Sequence, residues 1–157
     1  ALADITRFIK GDRYRSRLIS KIMFGAYNKR IKNVRTSNDW LTRDEAVVDE
    51  YNAGKLTTFL FTVNGYRGLM NMILYVRKPR NIERIPKNLP MLMISGLDDP
   101  VGEYGKGVYR AYNSYHGHID DIDLRLYEDC RHELCNELNK EEIYEEIYGW
   151  IMNHMRK

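Results

Sequence analysis

Residues 89–96, Leu-Pro-Met-Leu-Met-Ile-Ser-Gly, form a short, nearly continuous apolar run bounded by proline and glycine. This pattern marks a buried parallel strand, because a strand covered by helices on both faces has no polar side to present. A helix is expected next, over roughly Gly102 to Tyr115, and Asp123-Leu-Arg-Leu-Tyr then alternates polar and apolar residues as a strand does. From Lys140 to Met155, Ile143, Ile147, Trp150 and Ile151 fall on one helical stripe behind Asn139, a suitable cap. Strand, helix, strand, helix spells a βαβα unit of an α/β fold, whose parallel strands need helices on both faces and further strands beside them. Two strands do not make such a sheet, so the core is expected to be incomplete in this chain.

Upstream, Leu2, Ile5, Phe8 and Ile9, then Leu18, Ile19, Ile22, Met23 and Tyr27, recur at spacings of three and four with Lys and Arg between them. The period is that of amphipathic helices, and two helices broken near Gly11 fit it best. Asn33 to Asn38 has no periodicity and reads as a loop; Thr42 then precedes Asp44 and Glu45, which open a short helix running towards Tyr51 and ended by Gly54. Phe59, Leu60, Phe61 and Val63 make an apolar run that ends at Gly65, and Leu69, Met70, Met72, Ile73 and Tyr75 resume helical spacing. The first half is therefore read as mostly helical, with no internal repeat and no low-complexity segment.

The chain has 157 residues, 43% hydrophobic and 30% charged, an ordinary globular balance. No stretch approaches the ~18 consecutive apolar residues of a membrane span. The sequence opens on Ala1, and Ala1 to Lys10 has neither the basic start nor the apolar core of a secretory signal, so an upstream part is expected to have been removed or left out. Residues 1–35 hold ten Lys/Arg against Asp4 and Asp12, whereas residues 91–157 hold seven against fourteen acids. Such blocks are most often solvated helix faces, but the basic one also suits a peripheral contact with an anionic membrane surface or substrate. Cys130 and Cys135, five apart with no secretory mark, argue against a disulfide framework and for a reducing, cytoplasmic setting.

The residues able to carry chemistry lie just past the two strands, where open α/β sheets build their sites: Asp98 and Asp99 after the first, His132 after the second. A carboxylate bonded to one imidazole nitrogen fixes the tautomer, and the other nitrogen can then take a proton from a nucleophilic hydroxyl. By spacing alone an Asp and a His about thirty residues apart are equally well a turn residue and a helix cap. His116, His118, Asp120 and Asp121 form His-x-His-x-Asp-Asp, a donor set that suits zinc or manganese but more often marks a solvated turn, and no metal is assigned to it. Cys130 and Cys135 flank His132 as neutral loop and helix positions, and Glu133 and Glu137 read as part of the polar loop and first turn behind it.

The words around these residues are more specific: Leu89-Pro-Met-Leu-Met-Ile-Ser-Gly-Leu-Asp-Asp-Pro-Val-Gly, Gly105-Lys-Gly-Val, and Leu126-Tyr-Glu-Asp-Cys-Arg-His-Glu-Leu-Cys-Asn-Glu. They resemble the C-terminal third of the α/β-hydrolase superfamily around monoacylglycerol lipases and lysophospholipases. There an apolar strand ends in Gly-x-x-Asp-Pro-Val-Gly bearing the triad acid, and the next ends in Tyr-x-x-x-Arg-His-Glu-x-x-x-Glu bearing the base. The resemblance implies Asp99 as acid, in preference to Asp98, and His132 as base. Phe24 to Arg30, Asp39 to Asp44 and Phe59 to Gly68 resemble the helical cap such hydrolases insert, which implies a cap or lid over residues 1–85 and a C-terminal βαβα part of the hydrolase core over residues 86–157.

The same family carries its nucleophile in a Gly-x-Ser-x-Gly elbow. None of Ser16, Ser20, Ser37, Ser95 or Ser114 lies in that pattern, and Ser95 belongs to the acid-bearing strand. The resemblance thus implies a cytoplasmic serine hydrolase of lipid-like esters, without cofactor or nucleic-acid partner, whose serine lies upstream, so that this chain alone is inactive. With its edges open it should bind its missing N-terminal half or another copy. The alternative is a non-catalytic chain with a hydrolase-derived fold that binds a lipid or partner through its basic N-terminal helices.

Overall fold

The computed structural model describes residues 2–155. Helices α1 (Leu2–Lys10) and α2 (Arg17–Phe24) are separated at Gly11, as the periodicity predicts, and the Oγ of Ser16 caps α2 by accepting from the Ile19 amide. A 3-10 turn at Tyr27–Arg30 leads through a loop to α3 (Glu45–Ala53), whose first turn is capped by Asp44 accepting from the amides of Ala46 and Val47. Helix α4 (Val63–Val76) absorbs Gly65, where the apolar run was expected to stop. Thr62 accepts from the Gly65 amide and so places the helix start two residues earlier. A single turn, α5 (Pro79–Ile82), completes the helical half.

Strand β1 (Met91–Gly96) and strand β2 (Ile122–Tyr127) pair in parallel, in register from Met91 opposite Ile122 to Gly96 opposite Tyr127. Helix α6 (Lys106–His116) makes the crossover between them, and α7 (Lys140–Met155) follows β2 with the bounds the sequence predicts. Helix α6 starts four residues later than expected, because Glu103, Tyr104 and Gly105 all take left-handed backbone and form a turn instead. Gly105 is the economical residue at the last of these, having φ +82° and no side chain to meet Leu97. Among the described residues the sheet has two strands, so Met91 to Ile94 are half-buried where a fully covered strand was expected.

Among the described residues two small cores result. Ile19, Val63 and Tyr66 pack with Ala3, Met23 and Phe24 in the helical half. Cys130, Leu134 and Ile143 pack with Ile94, Tyr127 and Ile147 behind the sheet. The α7 stripe is thus buried at Ile143 but open at Ile151, which is 42% exposed. Asn139 stands at the head of α7 with its carbonyl accepting from the Ile143 amide, and its Oδ1 accepts from Arg43 and the Cys130 thiol across the junction between the two halves.

Candidate active site

Asp99 sits in the first turn beyond β1, and its position follows from backbone requirements. Its amide donates to the Gly96 carbonyl, its carbonyl accepts from the Tyr104 amide at 2.8 Å, and its Oδ1 accepts from the Val101 amide at 2.8 Å. The carboxylate is thereby aimed with Oδ2 free to face the loop beyond β2. Gly96 lets that loop come close: a Cβ there would lie 2.0 Å from the Cys130 carbonyl oxygen and 2.3 Å from that of Arg131. The Asp98 amide donates to the same Cys130 carbonyl at 2.9 Å, sewing the two strand ends together.

His132 arrives on this loop with Nδ1 3.1 Å from Asp99 Oδ2. A carboxylate only accepts, so the proton lies on Nδ1, which donates to it, and Nε2 carries the lone pair. The Asp99 side chain is 8% exposed and that of His132 is 37% exposed, so the carboxylate is enclosed while the imidazole has an open face. The bond from Asp99 raises the imidazole pKa above its usual value; burial works against this, and the charges of Asp99 and Glu133 reinforce it. Asp98, the other candidate acid, is exposed and forms no bond to His132. Ser95 lies in β1 with its Oγ directed to the Gly96 carbonyl.

The helical half contributes a segment that the sequence places in the expected cap, with none of its residues assigned to the site. Trp40 packs its ring 5.1 Å from the imidazole and is itself met edge-on by Tyr27 at 4.9 Å. Burial, and then the charge of Asp99, raises the Tyr27 pKa. The amides of His132 and Glu133 donate to the carbonyls of Trp40 and Leu41, and Arg131 Nη1 donates to those of Asp39 and Thr42. Glu137, read from the sequence as a polar loop residue, is fully buried and paired with Arg43 at 2.8 Å. No periodicity signals such a group; only the partner ninety-four positions away explains it.

Beside Trp40 opens a cleft of about 570 Å³ walled by Phe24, Tyr51, Phe59, Phe61 and Tyr66. Its aromatic lining suits an apolar chain. The His-x-His-x-Asp-Asp residues do not converge. His118 Nε2 lies 2.7 Å from the Ile85 carbonyl, Asp121 pairs with His154, and His116 packs on Tyr112. Among the described residues no group of three His, Cys, Asp or Glu could hold a metal ion, and Cys130 and Cys135 are free thiols. Among the described residues no helix is long and apolar enough to cross a membrane.

Comparison with known proteins identifies the fold and the family. Residues 8–139 match the model of the serine aminopeptidase S33 hydrolase family. Among solved structures, a thermostable carboxyl esterase from Bacillus coagulans in complex with glycerol aligns with TM-score 0.83 at 22% identity, over 99% of this chain and 50% of the esterase. A lipase in its open form aligns with TM-score 0.86 at 18% identity, over 99% of this chain and 51% of the lipase. A soluble variant of monoglyceride lipase from Saccharomyces cerevisiae, in complex with a substrate analog, aligns with TM-score 0.59 at 15% identity, over 96% of this chain and 49% of that enzyme. This chain therefore spans about half the length of the solved structures it matches. No curated protein sequence matches it. The family match over most of the chain, on a fold these structures share, establishes that the chain belongs to the serine aminopeptidase S33 family of α/β-hydrolases.

Proposed function

We propose that this chain supplies the acid and the base of a serine hydrolase that cleaves carboxylic esters of the monoacylglycerol or lysophospholipid type. The observation that carries the reading is the 3.1 Å bond between His132 Nδ1 and the enclosed Asp99 carboxylate. In this reading Asp99 holds the tautomer, and His132 Nε2 takes the proton from a serine hydroxyl borne upstream. The serine oxygen adds to the acyl carbonyl, and His132 returns the proton to the leaving alcohol. Water then hydrolyses the acyl-enzyme by the same exchange. Residues 1–85 act as the cap, and the cleft beside Trp40 takes the acyl chain. Support for an ester comes from the apolar cleft and from the esterase and lipases that share the fold. Helix α1 supports contact with a lipid surface, since it exposes Phe8 (93%) beside Arg7 and Lys10.

The test is fluorophosphonate labelling, together with hydrolysis of a monoacylglycerol, a lysophospholipid and an aminoacyl amide, by a protein extended upstream through a Gly-x-Ser-x-Gly elbow. Labelling and ester cleavage by the extended protein, both abolished by His132→Ala, are the expected result. A preference for the amide would redirect the substrate class. A folded, unlabelled protein would overturn the catalytic reading in favour of a lipid- or partner-binding role.

A further inference from the structure

Glu137 has no part in the reaction just described, yet its side chain has no exposed surface. Its carboxylate accepts from the Arg131 amide at 2.7 Å, from Arg43 Nε at 2.8 Å, and more weakly from the amides of Arg43 and Leu138. Burying a charge pair is costly, and well-packed apolar residues would often stabilise as much, so the pair invites a question about what it holds in place. Arg131 is the residue immediately before His132, and Arg43 ends the segment whose Trp40 packs on the imidazole. Arg43 Nη2 also reaches Asn139 Oδ1 at 2.8 Å, which fixes the guanidinium from the far side. Asp99 is aimed by the turn after β1, whereas the His132 loop is held by the Asp98 amide, by the carbonyls of residues 39–42 and, just before His132, by the Glu137–Arg43 pair.

Building on the proposed reaction, we propose that Glu137, clamped by Arg43, is a positioning residue for the base, holding the Arg131 amide so that the His132 imidazole meets Asp99. Release of that amide would let residues 131–133 shift, and displacement of a reacting group by about 1 Å can cost on the order of 100-fold in rate. The groups that set the local field are Asp99 and Glu133 around His132, and Glu137, Cys130 and Asp129 around Arg43.

The test uses the active, upstream-extended protein with Glu137→Gln and Arg43→Gln, read by ester kinetics and by the NMR titration of His132. In both variants kcat should fall on the order of 100-fold with KM within about twofold, as expected when positioning rather than binding is lost. The His132 titration should fall in both, because the Asp99 bond is weakened. A through-space charge effect would instead move it in opposite directions, since one variant removes a negative group and the other a positive one. Folded variants with lower thermal stability but unchanged kcat and His132 titration would overturn the proposal in favour of a structural role. In the unmutated protein the Arg131 amide should be protected from hydrogen exchange, and a freely exchanging amide overturns the proposal without any variant. If the extended protein cleaves no ester, the proposed reaction fails, while the titration and exchange still decide the role of Glu137.

Discussion

His132 is held between two opposed effects: the Asp99 bond stabilises the imidazolium, and burial penalises it. The bond wins, so the folded pKa lies above the ordinary value of about 6.5. The imidazole is neutral only above that raised pKa, and if it is the base of the proposed reaction kcat/KM should climb as pH rises through it. For stability the sign is reversed: the contribution of this pair is fully present below about pH 6.5 and is lost as pH rises through the folded pKa. Asp99→Asn should lower kcat by about 10⁴-fold by the tautomer argument and move the His132 titration downward. Asp98→Asn should leave both near wild type, because that carboxylate is exposed and only its backbone is engaged. The measurement is a pH–rate profile of the three extended proteins, and loss confined to the Asp98 variant would reverse the assignment. Spacing could not separate these adjacent acids. The family words favoured Asp99, and the turn at Val101 to Tyr104 shows how its carboxylate is aimed.

At the scale of elements, the strand ends matter more than the strands. Gly96 closes β1 against the backbone of Cys130 and Arg131, neither of which can swing away as a side chain could. Gly96→Ala should therefore cost about 3 kcal/mol and push the His132 loop away from Asp99. Thermal unfolding checks this, and a shift of no more than a degree or two would contradict it. Element types were legible from period and composition, as α7 and β2 illustrate, but boundaries were lost where local chemistry overrode them. The left-handed run at Glu103 to Gly105 delays α6, and the Thr62 cap carries α4 through Gly65. The clamp of Arg43 on Glu137 was not legible at all, because it joins a loop in the helical half to the turn before α7, and no local pattern encodes a partner that far away.

The whole molecule leaves much apolar surface uncovered. Phe8 is 93% exposed, Leu56 87%, Met155 74% and Leu138 66%, and among the described residues each strand of the sheet has a single neighbour. Patches and edges of this kind drive association. The chain by itself should form oligomers or aggregates that bind a hydrophobic dye, whereas co-expression with the serine-bearing upstream segment of the proposed hydrolase should give a soluble complex with lower dye binding. Light scattering of the isolated chain as a monodisperse monomer would count against this expectation.

By itself the sequence determined the α/β class, the order of strand, helix, strand and helix, the amphipathic helical first half, and the words that pointed to Asp99 and His132. Those properties depend on periodicity and on short motifs, which a linear chain carries intact. Only the tertiary structure decided which acid meets the imidazole, that Trp40 packs on it, and that Glu137 is buried against Arg43. These depend on the approach of segments far apart in the chain, where backbone carbonyls, glycine clearance and the burial of charge decide the geometry.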